Sequence, residues 1–521
     1  MFAAVSGMSV SSLQAHAVQV EVDVSNGLPS FDLVGLPAAM NREARERVRS
    51  AIRNSGFEFP LQRITVNLAP ADLKKEGSGL DLPIAMGILA ATGQIDPRLC
   101  EGYVFAGELS LEGVLRPIPG VLAMTLALSP GYVFVVPPEN LAEAGLIDHV
   151  QVKSAFHLAE LVEILHGRAE GSARILGFSE QEQGSLWENS DKEREQRIDL
   201  KDIQGQVQAK RVLEIAAAGG HNLILIGPPG SGKTMLARAY AGILPPLSRE
   251  ESVEVSRLYS LAGMLGERGK LITERPFRHP HHSATVTGIL GGGRELRPGE
   301  LSLANHGVLF LDELPEFPRE VLESLRQPLE DRRLTITRQK GSVDFPASIS
   351  VIASMNPCKC GFYGDQGQEC TCTPKQVEQY RARLSGPLVD RFDLHIEVPR
   401  LSIEELSQLA GDSSRDGENS AAVRERVVRA RQRQWERMGQ TRTNAEMSAG
   451  ETRVHCSLNP SGKALLERVF RQRNLSARAY ERILRVARTI ADLAEEEKIL
   501  PSHLAESVQY RVLDRGGGSM L

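Results

Sequence analysis

The stretch NLILIGPPGSGKT, residues 222 to 234, decides the fold of the central part of this chain. Asn222 to Ile226 is an apolar run typical of a buried strand, and Met235 to Ala241 has the pattern of a helix. The glycine-rich loop between them allows backbone N–H groups to surround phosphate oxygens. We therefore predict a P-loop that binds ATP, formed by Gly227, Pro228, Pro229, Gly230, Ser231, Gly232, Lys233 and Thr234.

Two acidic residues downstream complete this predicted nucleotide site. In such a loop Lys233 reaches the outer phosphates and Thr234 holds Mg²⁺. The strand predicted for Gly307 to Leu311 is followed by Asp312 and Glu313, and a parallel sheet presents residues at that place to the bound phosphates. We predict that Asp312 holds Mg²⁺ and that Glu313 polarises the attacking water. Without a P-loop upstream, such an acidic pair is often only a solvated turn.

Three polar residues further along are candidates for contacts with the γ-phosphate. Asn356 follows the apolar strand SISVIAS, which leads to the same edge of the sheet. Arg391 lies in SGPLVDRFDL, where it can reach the ATP of a neighbouring subunit in a ring, or else pair with Asp390 or Asp393. Arg478 lies near a helix start in NLSARAYERIL, either as a lid arginine on the γ-phosphate or as a solvated side chain.

The 521 residues are too many for one hydrophobic core. Strand-like and helix-like runs alternate at first, a polar stretch without periodicity follows, and the last part is almost wholly helical. We predict an α/β fold with an α/β domain at residues 1–170, a linker at 171–198, a P-loop ATPase domain with a parallel sheet at 199–400, and a helical domain at 401–521. In the first domain we expect strands at Val18 to Val24 and Arg63 to Leu68, and helices at Asn41 to Asn54 and Leu82 to Ala91.

The net charge of −5 excludes a surface that is basic as a whole, so that any contact with a polyanion must use local basic patches. No apolar run approaches the ~20 residues that a membrane-spanning helix needs. The first residues lack the basic start and apolar core of a signal peptide. The six cysteines do not resemble a secreted disulfide framework. We therefore expect a cytoplasmic protein without a membrane partner.

Six motifs carry a resemblance to a known family: GPPGSGKT, PFRHPHHSAT, RPGELSLANHGVLFLDELPEF, ASMNPCKCG, SGPLVDRFDLHIEV and NLSARAYERILRVARTIADL. They resemble AAA+ ATPases related to the motor subunit of magnesium chelatase, and in particular the ComM family of bacterial competence proteins. The resemblance covers nearly the whole chain. It implies an AAA+ core with a helical C-terminal lid, a homo-hexamer, and ATP-driven branch migration of DNA, a helicase activity, in homologous recombination during natural transformation. It also implies the residue roles given above.

The first domain resembles the Lon protease domain and the carboxy-terminal domain of the RadA recombination helicase, through GLDLPIAMGILAA and GELSLEGVLRPIPGVLAM. Lon-type proteolysis needs a serine activated by a lysine. Asp81 holds the serine position and Leu122 the lysine position, while Ser78, with Lys75 nearby, has the setting of a turn residue. We therefore predict a non-catalytic platform that forms the ring or contacts DNA.

A second hypothesis is a metal-insertion or protein-remodelling ATPase like magnesium chelatase itself. The integrin-like metal-binding domain of that enzyme belongs to the motor's partner, and nothing of that kind is present in this sequence. An ATP-dependent protease is disfavoured because the Lon-type serine and lysine are missing. The DNA motor is therefore the preferred interpretation.

Two inserts in the ATPase domain carry candidate DNA contacts. The first, around residues 278 to 300, contains Arg294 and Arg297, and the second is a hairpin, LTITRQKGSVDFP, with Arg338 and Lys340 beside a glycine turn. Basic groups in the channel of a ring can follow branched or single-stranded DNA without reading its sequence. The alternative is that these side chains are only solvated.

Three histidines, His279, His281 and His282, lie close together in the sequence. Histidines at close spacing can share one metal ion, but we favour loop packing or polar contacts because no acid or cysteine adjoins them in sequence.

Four cysteines lie in two closely spaced pairs around GFYGDQGQE, and their thiolates can close a tetrahedral site for structural Zn²⁺. Four reduced thiols or a redox pair are the alternatives. The candidate ligands are Cys358, Cys360, Cys370 and Cys372.

Overall fold

A computed structural model of the chain describes residues 1–521 except 12, 72–74, 76, 170–171, 175–197, 266–269, 294–295, 339–340, 366, 402–417, 474 and 515–521. The chain forms two compact units. Unit 1 consists of Met1–Asn189, Arg249–Thr273 and Gly292–Pro298, and unit 2 of Ser190–Ser248, Glu274–Gly291 and Gly299–Leu521. Most of the predicted linker lies outside the described residues, although Ser172–Arg174 at its start is a strand.

The strands and helices have the following bounds. The strands are β1 (Phe2–Ser11), β2 (Gln14–Ser25), β3 (Ser30–Val34), β4 (Arg63–Ala69), β5 (Tyr103–Phe105), β6 (Glu108–Leu109), β7 (Leu115–Arg116), β8 (Val133–Val136), β9 (Gln151–Ser154), β10 (Ser172–Arg174), β11 (Leu223–Ile226), β12 (Phe277–Arg278), β13 (Gly291–Gly292), β14 (Arg297–Pro298), β15 (Val308–Leu311), β16 (Arg333–Arg338), β17 (Gly341–Pro346), β18 (Ser350–Met355) and β19 (Leu394–Glu397). The α-helices are α1 (Ala38–Asn54), α2 (Asp81–Ala91), α3 (Val121–Ala127), α4 (Pro138–Ala144), α5 (Leu158–Leu165), α6 (Val207–Gly219), α7 (Lys233–Ile243), α8 (Arg249–Leu261), α9 (Val286–Leu290), α10 (Glu300–Leu303), α11 (Arg319–Ser324), α12 (Pro328–Asp331), α13 (Pro374–Arg381), α14 (Gly386–Val389), α15 (Ser420–Met438), α16 (Ala449–His455), α17 (Pro460–Arg473), α18 (Ala477–Leu493) and α19 (Pro501–Gln509).

Unit 1 is built on a mixed sheet, which among the described residues has the order β10-β9-β8-β5-β1-β2-β4-β3. In β2 the valines at 18, 20, 22 and 24 are buried and alternate with polar residues, because successive side chains in a strand point to opposite faces. Every residue of α2 is buried, as expected for a helix within the core. The strands and helices predicted from the sequence of this domain are confirmed in β2, β4, α1 and α2.

Unit 2 contains a parallel sheet with the order β12-β15-β18-β11-β19 among its described strands. Strands β11 and β15 are buried throughout, which fits a sheet covered on both faces. The predicted parallel α/β fold is therefore confirmed, and so is the hairpin, which is β16 paired with β17. The described residues beyond 418 are mainly helical.

Helix α8 belongs to unit 1, although its residues lie in the range that the sequence alone assigns to one continuous ATPase domain. Its buried residue Leu261 lies at Gly120, directly before α3, and the N–H of Gly120 donates a 3.1 Å hydrogen bond to the carbonyl of Ser260. The Ser260 hydroxyl in turn donates to the carboxylate of Glu143. The physical reason for the difference is that an amphipathic helix covers whichever apolar surface the chain brings to it, and here that surface is α3.

Among the described residues, every helix is too short or too polar to pass through a lipid bilayer.

Candidate nucleotide-binding site

The predicted P-loop connects β11 to α7, and its glycines are required by its geometry. Gly230 and Gly232 have φ angles of 78° and 90°, in the left-handed region that favours glycine. At Gly227 a β-carbon would lie 2.2 Å from the carbonyl oxygen of Val398, so that a larger residue does not fit. The loop leads directly into the first turn of α7, whose unpaired N–H groups attract anions. The loop therefore fits a polyphosphate.

Lys233 is buried against this loop. Its Nζ donates hydrogen bonds of 2.8 Å to the carbonyls of Gly227 and Pro228, and it lies 3.4 Å from Oδ1 of Asn356. Burial lowers the pKa of Lys233, while the nearby carboxylates of Asp312 and Glu313 oppose that shift. The structure therefore brings Lys233, Asn356 and the acidic pair together, as the sequence predicts.

Asp312 lies at the end of β15, next to the P-loop helix. The Thr234 hydroxyl donates to Asp312 Oδ2 over 3.3 Å, and the Ser354 hydroxyl donates to Asp312 Oδ1. A hydroxyl and a carboxylate oxygen at this spacing are hard oxygen ligands of the kind that Mg²⁺ prefers. Thr234 and Asp312 thus fit the predicted Mg²⁺ site.

Glu313 has a left-handed backbone with φ of 54°, which is uncommon outside glycine. Its N–H donates to Ser354 Oγ over 3.2 Å, which holds the turn in place. The side chain is 51% exposed, and His282 Nδ1 lies 3.5 Å from its Oε2. His279 Nε2 lies 4.0 Å from Asp312 Oδ2, and burial lowers the pKa of His279.

Ser354 and the two histidines are therefore part of the site beyond the residues that the sequence predicts. The sequence favours loop packing or polar contacts for the histidines, and the structure gives His279 and His282 polar partners in the acidic pair. Ser354 was not singled out. Its signal is a hydroxyl in the buried part of β18, since a buried hydroxyl needs a hydrogen-bond partner, but the sequence alone does not distinguish it from the other two serines of SISVIAS.

Arg391 makes its contacts away from the P-loop. Its Nε donates to the carbonyl of Arg326 and its Nη1 to that of Pro387, each over 2.6 Å. Its Nη2 forms an ion pair with Glu330 rather than with Asp390 or Asp393, the partners that the sequence suggested. Within one chain the structure therefore does not bring Arg391 to the nucleotide site.

Asp393 instead belongs to a buried cluster with helix α18. Its carboxylate lies 3.3 Å from Arg482 Nη1 and 3.4 Å from His221 Nδ1. Arg478, one turn earlier in α18, has an exposed side chain. Arg482 was not predicted, although it shares the helix face of Arg478 at i, i+4.

Of the four candidate residues for DNA contacts, two lie within the residues that the structure describes. Arg297 is exposed in β14. Arg338 is the last residue of β16 and pairs with Gly341. Arg294 and Lys340 lie outside the described residues.

The four clustered cysteines come together in unit 2. Their sulfur atoms all lie within 4.8 Å of one another, and the Cys358 sulfur is 3.3 Å from that of Cys360 and 3.7 Å from that of Cys370. The edge of a tetrahedron with Zn–S bonds of ~2.3 Å is about 3.8 Å, so the thiols fit a four-coordinate zinc site. A hydrogen bond from the backbone of Phe362 lowers the pKa of Cys360 to about 5, which favours its thiolate.

The positions that a serine and a lysine occupy in a Lon-type protease are held here by Asp81 and Leu122. Asp81 is buried and accepts hydrogen bonds from Arg47 at 2.7 and 3.2 Å. Burial raises the pKa of Asp81 to about 6 against the opposing effect of Arg47. Leu122 is fully buried, and the Ser78 hydroxyl donates to Glu108. These contacts give no activated serine.

Three parts of the chain match family models, and the description of each model names subunit ChlI of magnesium chelatase. Residues 20–140 match "Subunit ChlI of Mg-chelatase", residues 199–406 match "Magnesium chelatase, subunit ChlI", and residues 417–511 match "Magnesium chelatase, subunit ChlI C-terminal". The chain is similar in these parts to that subunit.

Full-length relatives show the same similarity. The chain is 46% identical to the uncharacterized protein YifB of Salmonella typhimurium, with 96% of each chain covered. It is 44% identical to the competence protein ComM of Haemophilus influenzae, again with 96% of each covered. It is 40% identical to the uncharacterized protein Rv2897c of Mycobacterium tuberculosis, with 97% of each covered.

Proposed function

Because the chain belongs to the ComM family of magnesium-chelatase-like AAA+ proteins, we propose that it is an ATPase motor that drives branch migration of DNA in homologous recombination during natural transformation. The observation that carries the ATPase part is the convergence of Lys233, Thr234, Asp312 and Glu313 at one edge of a parallel sheet. The DNA part rests on the 44% identity with a protein named for competence.

The residues of the nucleotide site have separate roles in ATP hydrolysis. The loop N–H groups and the start of α7 hold the phosphates, and Lys233 exchanges the carbonyls of Gly227 and Pro228 for phosphate oxygens. Thr234 and Asp312 would hold Mg²⁺, which would supply positive charge to offset that of the ATP phosphates. Glu313 orients the attacking water and accepts its proton, and Asn356 contacts the γ-phosphate.

A homo-hexameric ring would give the remaining arginines their roles. Arg391 reaches the ATP of the neighbouring subunit once it leaves Glu330, and stabilises charge in the transition state. The helices after residue 418 act as a lid, from which Arg478 contacts the γ-phosphate. The Lon-like α/β part of unit 1, without a serine–lysine pair, serves as a non-catalytic platform in the ring.

DNA contacts are proposed for the inserts that carry Arg294, Arg297, Arg338 and Lys340. Their contribution would be sequence-independent, because each arginine or lysine neutralises phosphates and releases counterions. Binding should accordingly weaken steeply as salt is added, on branched and single-stranded DNA alike.

A second candidate function is metal insertion or protein remodelling of the magnesium-chelatase type. The observation that favours it is that all three family matches are described by magnesium-chelatase subunit ChlI. This alternative shares the ATPase site and differs in the substrate of the motor.

The test is ATP-dependent strand displacement on a three- or four-stranded branched DNA. The wild type should displace the strand, and Lys233→Ala should not, because the phosphates lose their buried cation. Lys463→Ala, at an exposed position in α17, is the matched control and should behave as wild type. ATP hydrolysis that is indifferent to DNA, without displacement, would contradict the DNA motor and favour the second candidate.

A further inference from the structure

The segment that holds the four cysteines begins directly after Asn356, a residue of the nucleotide site. We use the name zinc loop for its described residues, 357–365 and 367–373. Cys358, two residues after Asn356, is fully buried, and its carbonyl accepts a 3.1 Å hydrogen bond from the N–H of Gly361. The loop therefore turns back at once upon leaving the sheet.

This turn brings the zinc loop onto the P-loop. Gly361 has a φ of 90°, and a β-carbon added to it would lie 2.7 Å from Cδ and 2.9 Å from Cγ of Pro229. The backbone of Gly361 and the ring of Pro229 are thus packed without space for a methyl group. Pro229 is followed directly by Gly230, whose own left-handed backbone shapes the phosphate-binding turn.

The far end of the zinc loop is fastened to its beginning. Cys370 and Cys372 lead into α13, where the Thr373 side chain caps the helix by accepting from Gln376 N. Arg381, at the end of α13, donates from Nε to the carbonyl of Pro357 over 3.3 Å and lies 5.2 Å from the ring centroid of Tyr363. The cysteine pairs close the middle of the same segment.

The thiols themselves have metal-site geometry rather than disulfide geometry. The Cys358–Cys360 sulfur separation of 3.3 Å and the Cys360–Cys370 separation of 3.5 Å exceed the ~2.05 Å of an S–S bond. Four sulfur ligands satisfy a tetrahedral Zn²⁺ completely and leave no open position for a substrate. The site is therefore suited to stabilise a structure and not to catalyse a reaction.

We propose that the four cysteines bind one Zn²⁺ per chain, and that the zinc loop thereby braces the P-loop through Gly361 and Pro229, so that zinc occupancy sets the affinity for nucleotide. The second half of this inference rests on the proposed nucleotide binding at the P-loop. Apart from Pro357, Phe362 and Tyr363, the other residues of the loop are small or polar. We therefore expect metal binding to supply much of the free energy that keeps the loop folded.

The first measurement is the metal content of the full chain, purified without chelator, by elemental analysis. The wild type should contain one zinc per chain, and Cys370→Ser should lose it. Cys456→Ala is the matched control, since Cys456 is a buried cysteine elsewhere in unit 2, and it should keep its zinc. A wild type without bound zinc, or with iron in its place, would overturn the metal assignment.

The second measurement is the Kd for a fluorescent ATP analogue. Gly361→Ala should keep its zinc but bind the nucleotide about tenfold more weakly, a change of 1.4 kcal/mol, because its methyl group displaces Pro229. Gly364→Ala is the control, because it has a φ of 79° in the same loop with open space around it. It should keep both zinc and affinity.

The two measurements separate the possible failures. Zinc-replete Gly361→Ala with wild-type affinity would overturn the brace. Nucleotide affinity unchanged in zinc-free Cys370→Ser would do the same. A wild type that holds zinc but binds no nucleotide would instead overturn the proposed ATPase function, and with it the brace, while the zinc site itself would stand.

Discussion

At the scale of single residues, Glu313 combines a left-handed backbone with an exposed carboxylate. A non-glycine residue in that region costs on the order of 1 kcal/mol, and such strain persists where the surroundings hold it. Here the hydrogen bond to Ser354 and the contact with His282 do so. The two acids have different neighbours, Thr234 and His279 at Asp312 and His282 at Glu313, which fits one acid for the metal and the other for the water.

Glu313→Gln should bind ATP as the wild type does and hydrolyse it at least about 10²-fold more slowly, because an amide cannot accept the proton of the attacking water. Nucleotide titration and steady-state phosphate release measure the two effects. Glu316→Gln, three residues further on and paired with Arg383 at the surface, should change neither. Normal turnover in Glu313→Gln would disprove the role given to that residue.

Asp393 makes stability depend on pH. Burial alone would raise its pKa, but Arg482 and the hydrogen bond with His221 outweigh burial and hold the pKa well below its usual range. The carboxylate therefore stabilises the fold above about pH 4, the pKa of an unfolded aspartate. This contribution is lost as the pH falls further, towards the folded pKa.

Asp393→Asn should lower the free energy of unfolding by about 3–5 kcal/mol at pH 7, because Arg482 remains buried and charged without its partner. Urea unfolding at pH 7 and at pH 3.5 measures this difference, which should shrink at the lower pH. Asp344→Asn, in an exposed strand position, should cost little at either pH. An equal cost of Asp393→Asn at both values would contradict the assignment.

The residues of the P-loop were predictable because each has a local chemical reason to be there. Ser354 was not, since the run SISVIAS contains three serines, and only the pairing of Leu311 with Ala353 places this one beside Asp312. The partner of Arg391 was also missed. The sequence suggested acids next to it, whereas Glu330 lies 61 residues away. Long-range register and packing, which local patterns do not encode, decide such contacts.

At the scale of elements, the strands and helices around the P-loop follow from hydrophobic periodicity, but the attachment of α8 does not. The helix has an apolar face like that of any surface helix, and periodicity does not say which surface it covers. In unit 1 that face meets α3 at Gly120, where a β-carbon would lie 3.0 Å from Val10 Cγ2 and 3.1 Å from Leu261 Cδ2. Gly120 therefore permits the close approach of the two helices.

Gly120→Ala should loosen α8 from unit 1, because the methyl group meets Leu261 and the hydrogen bond to Ser260 is strained. Amide hydrogen exchange should become faster across Arg249–Leu261. Gly131→Ala is matched to it, since Gly131 also has a left-handed backbone but has open space around it. The attachment described above would be refuted by equal exchange of α8 in both variants.

At the scale of the whole molecule, the position of Arg391 bears on assembly. Arg391 is 9% exposed, and its guanidinium contacts Arg326, Pro387 and Glu330 within its own chain. A function in hydrolysis therefore requires a second subunit and the release of these contacts.

Arg391→Ala should keep its nucleotide affinity and lose most ATP turnover in the assembled protein, because the transition state lacks its cation. Lys233→Ala should also be inactive, yet a mixture of the two should regain turnover, since each Lys233→Ala subunit offers an intact Arg391 to its neighbour. ATPase rates across mixing ratios measure this. A mixture as inactive as its components would argue against action between subunits.

The path of the chain through the two units also limits the replacement of one unit by that of a related protein. Over the segments that form the two units, the chain passes from one to the other five times. A graft that replaced residues 1–198 by those of a relative would leave the new domain beside a foreign α8. A fragment beginning at residue 199 would contain α8 without the α3 surface that it covers. The two units are thus expected to be inherited together, with substitutions at Gly120 and Leu261 matched to each other rather than free to vary.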